Sequence, residues 1–69
     1  MTPEEIKALR QALGDTLEQL AHRLGVTYST VARWERGLQV PGLYYQGRLR
    51  RLRAQVTRAR AKAELEVEP

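Results

Sequence analysis

Residues 16 to 37 read Thr16-Leu-Glu-Gln-Leu-Ala-His-Arg-Leu-Gly-Val-Thr-Tyr-Ser-Thr-Val-Ala-Arg-Trp-Glu-Arg-Gly37. Thr16 opens the segment with a hydroxyl able to accept from an unpaired amide. Gln19 stands three residues on, the spacing of a reciprocal capping box. Leu17, Leu20, Ala21 and Leu24 then recur at helical intervals, and Gly25 supplies a left-handed stop. After Val26, Thr27 caps a further helix running through Arg36, with Val31 and Trp34 facing inward and Gly37 closing its end. Ala21 is small where two helices would cross closely, and Val26 plugs the corner between them. An arbitrary amphipathic hairpin would share this periodicity, yet would rarely combine it with two threonine caps and a glycine at each helix end.

Working outward, Thr2-Pro3-Glu4-Glu5 combines an N-cap, proline at the first helical position and a glutamate at the third, so a first helix spans Pro3 to Leu13. Its apolar side is Ile6, Leu9 and Leu13, and Gly14 ends it. Asp15 either favours the dipole of the second helix or offers an alternative cap. On the other side, Val40-Pro41-Gly42 breaks the chain. From Leu43 a helical pattern resumes for about twenty residues, or about 30 Å, with Tyr45, Leu49, Leu52, Val56, Ala59 and Ala63 spaced by alternating fours and threes. That narrow seam is longer than three short helices can cover, so its far end should protrude or pair. Three segments result: a helix-turn-helix core over 1–42, a basic helix over 43–63 that packs on the core and can dimerise, and a frayed acidic tail over 64–69.

Charge is unevenly placed along the 69 residues, whose 12 lysines and arginines against 8 acids give a net +4. Up to Gly37 five basic residues balance five acidic ones. Beyond it Arg48, Arg50, Arg51, Arg53, Arg58, Arg60 and Lys62 face only Glu64, Glu66 and Glu68. No acid interrupts the run from Arg48 to Lys62, and such a run attracts polyanions or lies solvated on a helix. The absence of cysteine, with His22 as the single histidine, excludes disulfides and cysteine-rich zinc sites, and no metal or cofactor is expected. The carboxylates are scattered and form no acid–base pair, which argues against an enzyme, and no catalytic residue is assigned. The longest apolar run, Leu43 to Tyr45, falls far short of the roughly 18 residues that span a bilayer. The opening Met-Thr-Pro-Glu-Glu lacks the basic start and apolar stretch of a secretory signal, so a cytoplasmic address without membrane attachment is expected.

The capped helix pair resembles the lambda-repressor-like (Cro/C1, XRE) family of bacterial and phage helix-turn-helix regulators. Ile6 to Gly37 match it without a gap, about half the chain, and Pro41 fits the loop that follows. The resemblance implies an all-α bundle of about four helices, double-stranded DNA as partner, and a transcriptional repressor encoded by a bacterium, phage or plasmid. In that geometry Tyr28, Ser29, Ala32, Arg33 and Arg36 form the outer strip of the third helix. Tyr28, Ser29 and Arg33 would meet base edges, where a guanidinium can pair with guanine O6 and N7. Thr16, Thr27 and the amides around Leu17 would border phosphates, and Arg23, Arg36 and Gln39 would contact the backbone. Arg10 and Glu35 match a structural ion pair of related repressors. Two positions depart from the family: Leu17 stands where a glutamine is frequent, and Asp15 where an apolar residue is usual.

The basic helix keeps three readings. Leu52, Val56, Ala59 and Ala63 can meet a second copy in a homodimer that reads an inverted repeat. Its arginine face can lie along DNA phosphates. Alternatively, it binds RNA or an acidic protein while the capped helices serve as scaffold. A protein-interaction module, such as an antitoxin or a polymerase- or regulator-binding protein, is the competing function class.

Overall fold

Three threonines begin the first three helices of the computed structural model, which describes residues 1–66. Thr2 caps α1 (Pro3–Leu13), Thr16 caps α2 (Leu17–Leu24), Thr27 caps α3 (Tyr28–Glu35), and α4 (Leu43–Glu66) follows the Pro41-Gly42 break. The first two caps are reciprocal boxes of matching geometry. The Glu5 amide donates to Thr2 Oγ1 at 3.1 Å and the Thr2 amide to Glu5 Oε1 at 2.8 Å; Gln19 and Thr16 repeat both distances. They differ in charge alone. Hydrogen bonds from the Thr2 backbone and then its side chain hold the Glu5 carboxyl below its ordinary 4.5. A depressed folded value means stabilisation that is present above the unfolded carboxylate range and lost as pH falls through the folded value. Glu5→Gln, which copies the box of α2, is therefore expected to flatten the acid limb of the melting temperature against pH. Parallel limbs for variant and parent would contradict this role.

The apolar stripes of the four helices close on one another. Ile6 and Leu9 of α1, Leu20, Ala21 and Leu24 of α2, Val31 and Trp34 of α3 and Leu49 of α4 form one buried cluster. Between α2 and α3 the chain reverses through Gly25 at φ 73°, a conformation costly for any residue with a Cβ. The Val26 amide donates back to the Ala21 carbonyl at 3.0 Å, which fixes the corner. The indole of Trp34 packs on the ring of Tyr45, centroids 5.7 Å apart, so α4 locks the base of α3. Gln46 Nε2 donates to the Pro41 carbonyl at 2.7 Å and ties down the start of α4.

Leu52 and Val56 are half-buried against this same cluster. The domain itself thus covers the first half of the seam that the sequence leaves available to a second copy. The 3–4 spacing marks an apolar side without saying what covers it. Ala59 and Ala63 are exposed. Residues 57–65 have no core above them, and α4 projects to give the molecule a long axis of 46 Å against 21 and 20 Å across. The helix continues to Glu66, past the tail expected from Glu64, because Lys62, Ala63, Glu64 and Leu65 all favour helix and nothing stops it. The rest of that expected tail, 67–69, lies outside the described residues.

Gly47 sits inside α4, and a Cβ built there meets nothing within 4 Å. Gly47→Ala is expected to stabilise the domain by about 1 kcal/mol, since no contact opposes the gain in helix propensity. That corresponds to a thermal midpoint higher by about 4–8 °C in a domain of this size. A midpoint that falls would show that this part of α4 is not regular helix in solution. Among the described residues no helix is long and apolar enough to cross a membrane.

Candidate nucleic-acid interface

Burial of Val31 and Trp34 fixes how α3 is rotated. The 3.6-residue period then turns Ser29, Ala32, Arg33 and Arg36 away from the core, with Tyr28 at the edge of that face. Tyr28 is 55% exposed, and Arg33 and Arg36 are exposed. Ser29 and Ala32, expected in the open strip, are half-buried, being short side chains below longer neighbours. The strip is therefore a tyrosine and two arginines standing above a small-residue floor. Thr27 is exposed at its start, but its hydroxyl already takes the Thr30 amide at 3.4 Å and lies 3.0 Å from Thr30 Oγ1.

Ala32 and Arg36 also line a cleft of about 210 Å³ between α1, the start of α2 and α3, completed by Lys7, Arg10, Leu17 and Glu35. At its base Arg10 forms a two-pronged pair with Glu35. Nε reaches Oε2 at 2.7 Å and Nη2 reaches Oε1 at 3.0 Å, while Nη1 donates to the Asp15 carbonyl at 3.1 Å. The side chains are 17% and 9% exposed. The hydrogen bond to Glu35 raises the Arg10 pKa above its already high ordinary value, so the guanidinium stays charged at any working pH. This clamp holds α1, the α1–α2 turn and α3 in one geometry. It leaves Lys7 and Arg36 as the outward cations of the cleft. Lys7 is absent from the residues assigned by sequence; its spacing of three from Arg10, which puts both on one side of α1, is the signal that could have found it.

The box at the start of α2 claims the amides of Thr16 and Gln19 and leaves those of Leu17 and Glu18 for solvent or an anion. The Leu17 side chain itself turns toward the core. Arg23, expected on a phosphate, is instead engaged by Asp15: Nε donates to Oδ2 and Nη2 to Oδ1, the latter at 3.1 Å. The Asp15 side chain is only 7% exposed, and its hydrogen bonds raise the Arg23 pKa. Asp15 and Glu18 share the surface beside Arg23 and His22, which makes that side of α2 a poor seat for a phosphate. Asp15 thus replaces the apolar packing usual at its position with an ion pair. Gln39 is also apart from the α3 strip, since it lines a separate groove with Met1, Pro3 and Val40. Among the described residues no group of three His, Asp or Glu could hold a metal ion.

The structure therefore gathers Lys7, Arg36 and the start of α2 around one cleft, and leaves Tyr28 and Arg33 exposed on α3. Compared with known families, a helix-turn-helix model matches residues 6–44, more than half of the chain. The chain belongs to the helix-turn-helix family, Cro/C1 (XRE) type. No curated protein and no solved structure matches it. The family is one of DNA-binding regulatory domains, and the matched segment holds α2, α3 and the corner between them. Residues 45–66 of α4 lie beyond the match.

Proposed function

We propose that this helix-turn-helix protein is a sequence-specific transcriptional repressor that reads the major groove of double-stranded DNA with the outer face of α3. The carrying observation is the outward arrangement of Tyr28, Arg33 and Arg36 on a helix whose other face is locked by Val31 and Trp34. A helix is about 10–12 Å across with its side chains, which fits a major groove about 12 Å wide. Arg33 supplies the fork for guanine O6 and N7, and Tyr28 offers ring edge to a thymine methyl or hydroxyl to a phosphate. Ser29 sits low enough to let the helix approach closely. Lys7, Arg36 and the amides of Leu17 and Glu18 hold the strands on either side without choosing sequence.

A gel-shift series tests this, comparing random duplex with the DNA upstream of the protein's own gene at matched salt. The upstream DNA is expected to bind more tightly. Equal affinity for both, or none for either, would contradict the repressor reading and favour a protein-interaction module.

A further inference from the structure

We propose that the outer face of α4 is a second DNA contact, which binds phosphates of the duplex flanking the stretch read by α3; it rests on the reading of α3 given above. Two of the six arginines of α4 are used by the fold. Arg48 donates to the Arg23 carbonyl at 2.9 Å and, more loosely, to that of Leu24, which closes the end of α2; Arg53 meets Glu5 at 3.0 Å. Arg50, Arg51, Arg58 and Arg60 are exposed, and none has a hydrogen bond or ion pair among the described residues. Arg51 and Arg58 stand two turns apart on one line, with Gln55 between them and Lys62 one turn further on. No acid lies within that run.

Placement favours the duplex already held by α3. Arg53 pairs with Glu5 in the first turn of α1, and Arg60 shares a groove with Ala12 in its last turn. The two helices therefore run in the same direction, and the end of α4 passes the end of α1. There Gly14 and Asp15 lead directly into Thr16 and the free amides of α2. The uncovered turns beyond Val56, about 15 Å of helix, thus emerge at the same end of the molecule as the start of α2. They contribute no apolar packing to the core, and on the outer side, away from the α1 groove that Arg60 lines, they carry Arg58 in line with Arg51. Once α3 is seated, those cations are tethered to the same polyanion, so further phosphates are met at high effective concentration.

The full chain and its Arg51→Gln/Arg58→Gln variant test this on two duplexes: the sequence preferred by the parent, and the same sequence extended on both flanks. The parent is expected to bind the extended duplex more tightly, with the gap closing at high salt. On that duplex the variant should lower the slope of log affinity against log salt by about two, near 0.9 for each phosphate no longer neutralised. Its base preferences and helix content should match the parent. An unchanged slope, or a parent indifferent to flanks, would overturn the proposal. So would a loss confined to single-stranded RNA, or one explained by a fall in sedimenting mass from dimer to monomer. Should the parent show no base preference, extended random duplex still decides the arginine face, so the two readings fail separately.

Discussion

Glu35→Ala is expected to remove about 3 kcal/mol or more of stability, because it leaves the Arg10 guanidinium charged and mostly enclosed with one carboxylate gone. Domains of this size hold little more than 5 kcal/mol in all, and each kcal/mol moves the thermal midpoint by about 4–8 °C. Much of the variant should therefore be unfolded at physiological temperature. DNA binding would fall with the folded fraction, since Glu35 itself has no part in holding the duplex. The remaining partner of Arg10, the Asp15 carbonyl, satisfies one amino group and cannot neutralise the charge. Removing both charges, as Arg10→Met/Glu35→Leu, should recover most of the loss, because two apolar groups of similar volume bear no unpaired ion. Thermal melts of the single and double variants check this. A single variant within about 0.5 kcal/mol of the parent would show that the pair behaves like a surface bridge, as Arg53–Glu5 does at 47% exposure of both side chains.

Arg33→Ala has the opposite signature. Its side chain is exposed and has no protein partner among the described residues, so stability should stay within about 0.5 kcal/mol of the parent. Discrimination at one base pair should fall by about 1–3 kcal/mol, roughly 5- to 150-fold. Affinity for random duplex should change little beyond one charge's share of the salt dependence. Arg36→Ala, at the cleft beside Lys7, is the informative contrast: it should weaken all sequences alike and reduce the salt slope by about one. Binding profiles over all single-base substitutions separate the two. A uniform loss from Arg33→Ala would move that residue from base reading to phosphate holding.

What is legible in the sequence follows how local each interaction is. The threonine caps act through amides three residues away, so the starts of α1, α2 and α3 can be read from short motifs. The inward residues of α3 follow from period alone, and with them the outward set. Asp15–Arg23 cannot be read in this way, because its members are eight residues apart in a turn and a helix and share no period. The cleft holding Lys7 needs α1, α2 and α3 placed together, which no single stripe specifies. Val56 shows the same limit for α4. Its spacing announces an apolar side, but only the course of α1 shows that this side is largely covered by the chain itself. The end of α4 departs from expectation for a different reason: acidic residues suggest a tail, whereas Glu and Leu are good helix formers and carry no stop signal.

The most direct measurement concerns the groove. In the duplex that the protein prefers, each guanine can be replaced by 7-deazaguanine, which removes an acceptor from the major-groove edge, or by inosine, which removes only the minor-groove amino group. Weaker binding with 7-deazaguanine at one or more positions, abolished in Arg33→Ala, together with indifference to inosine, is the expected result. Sensitivity to inosine alone, or to neither base, would contradict a recognition surface built on the outer face of α3.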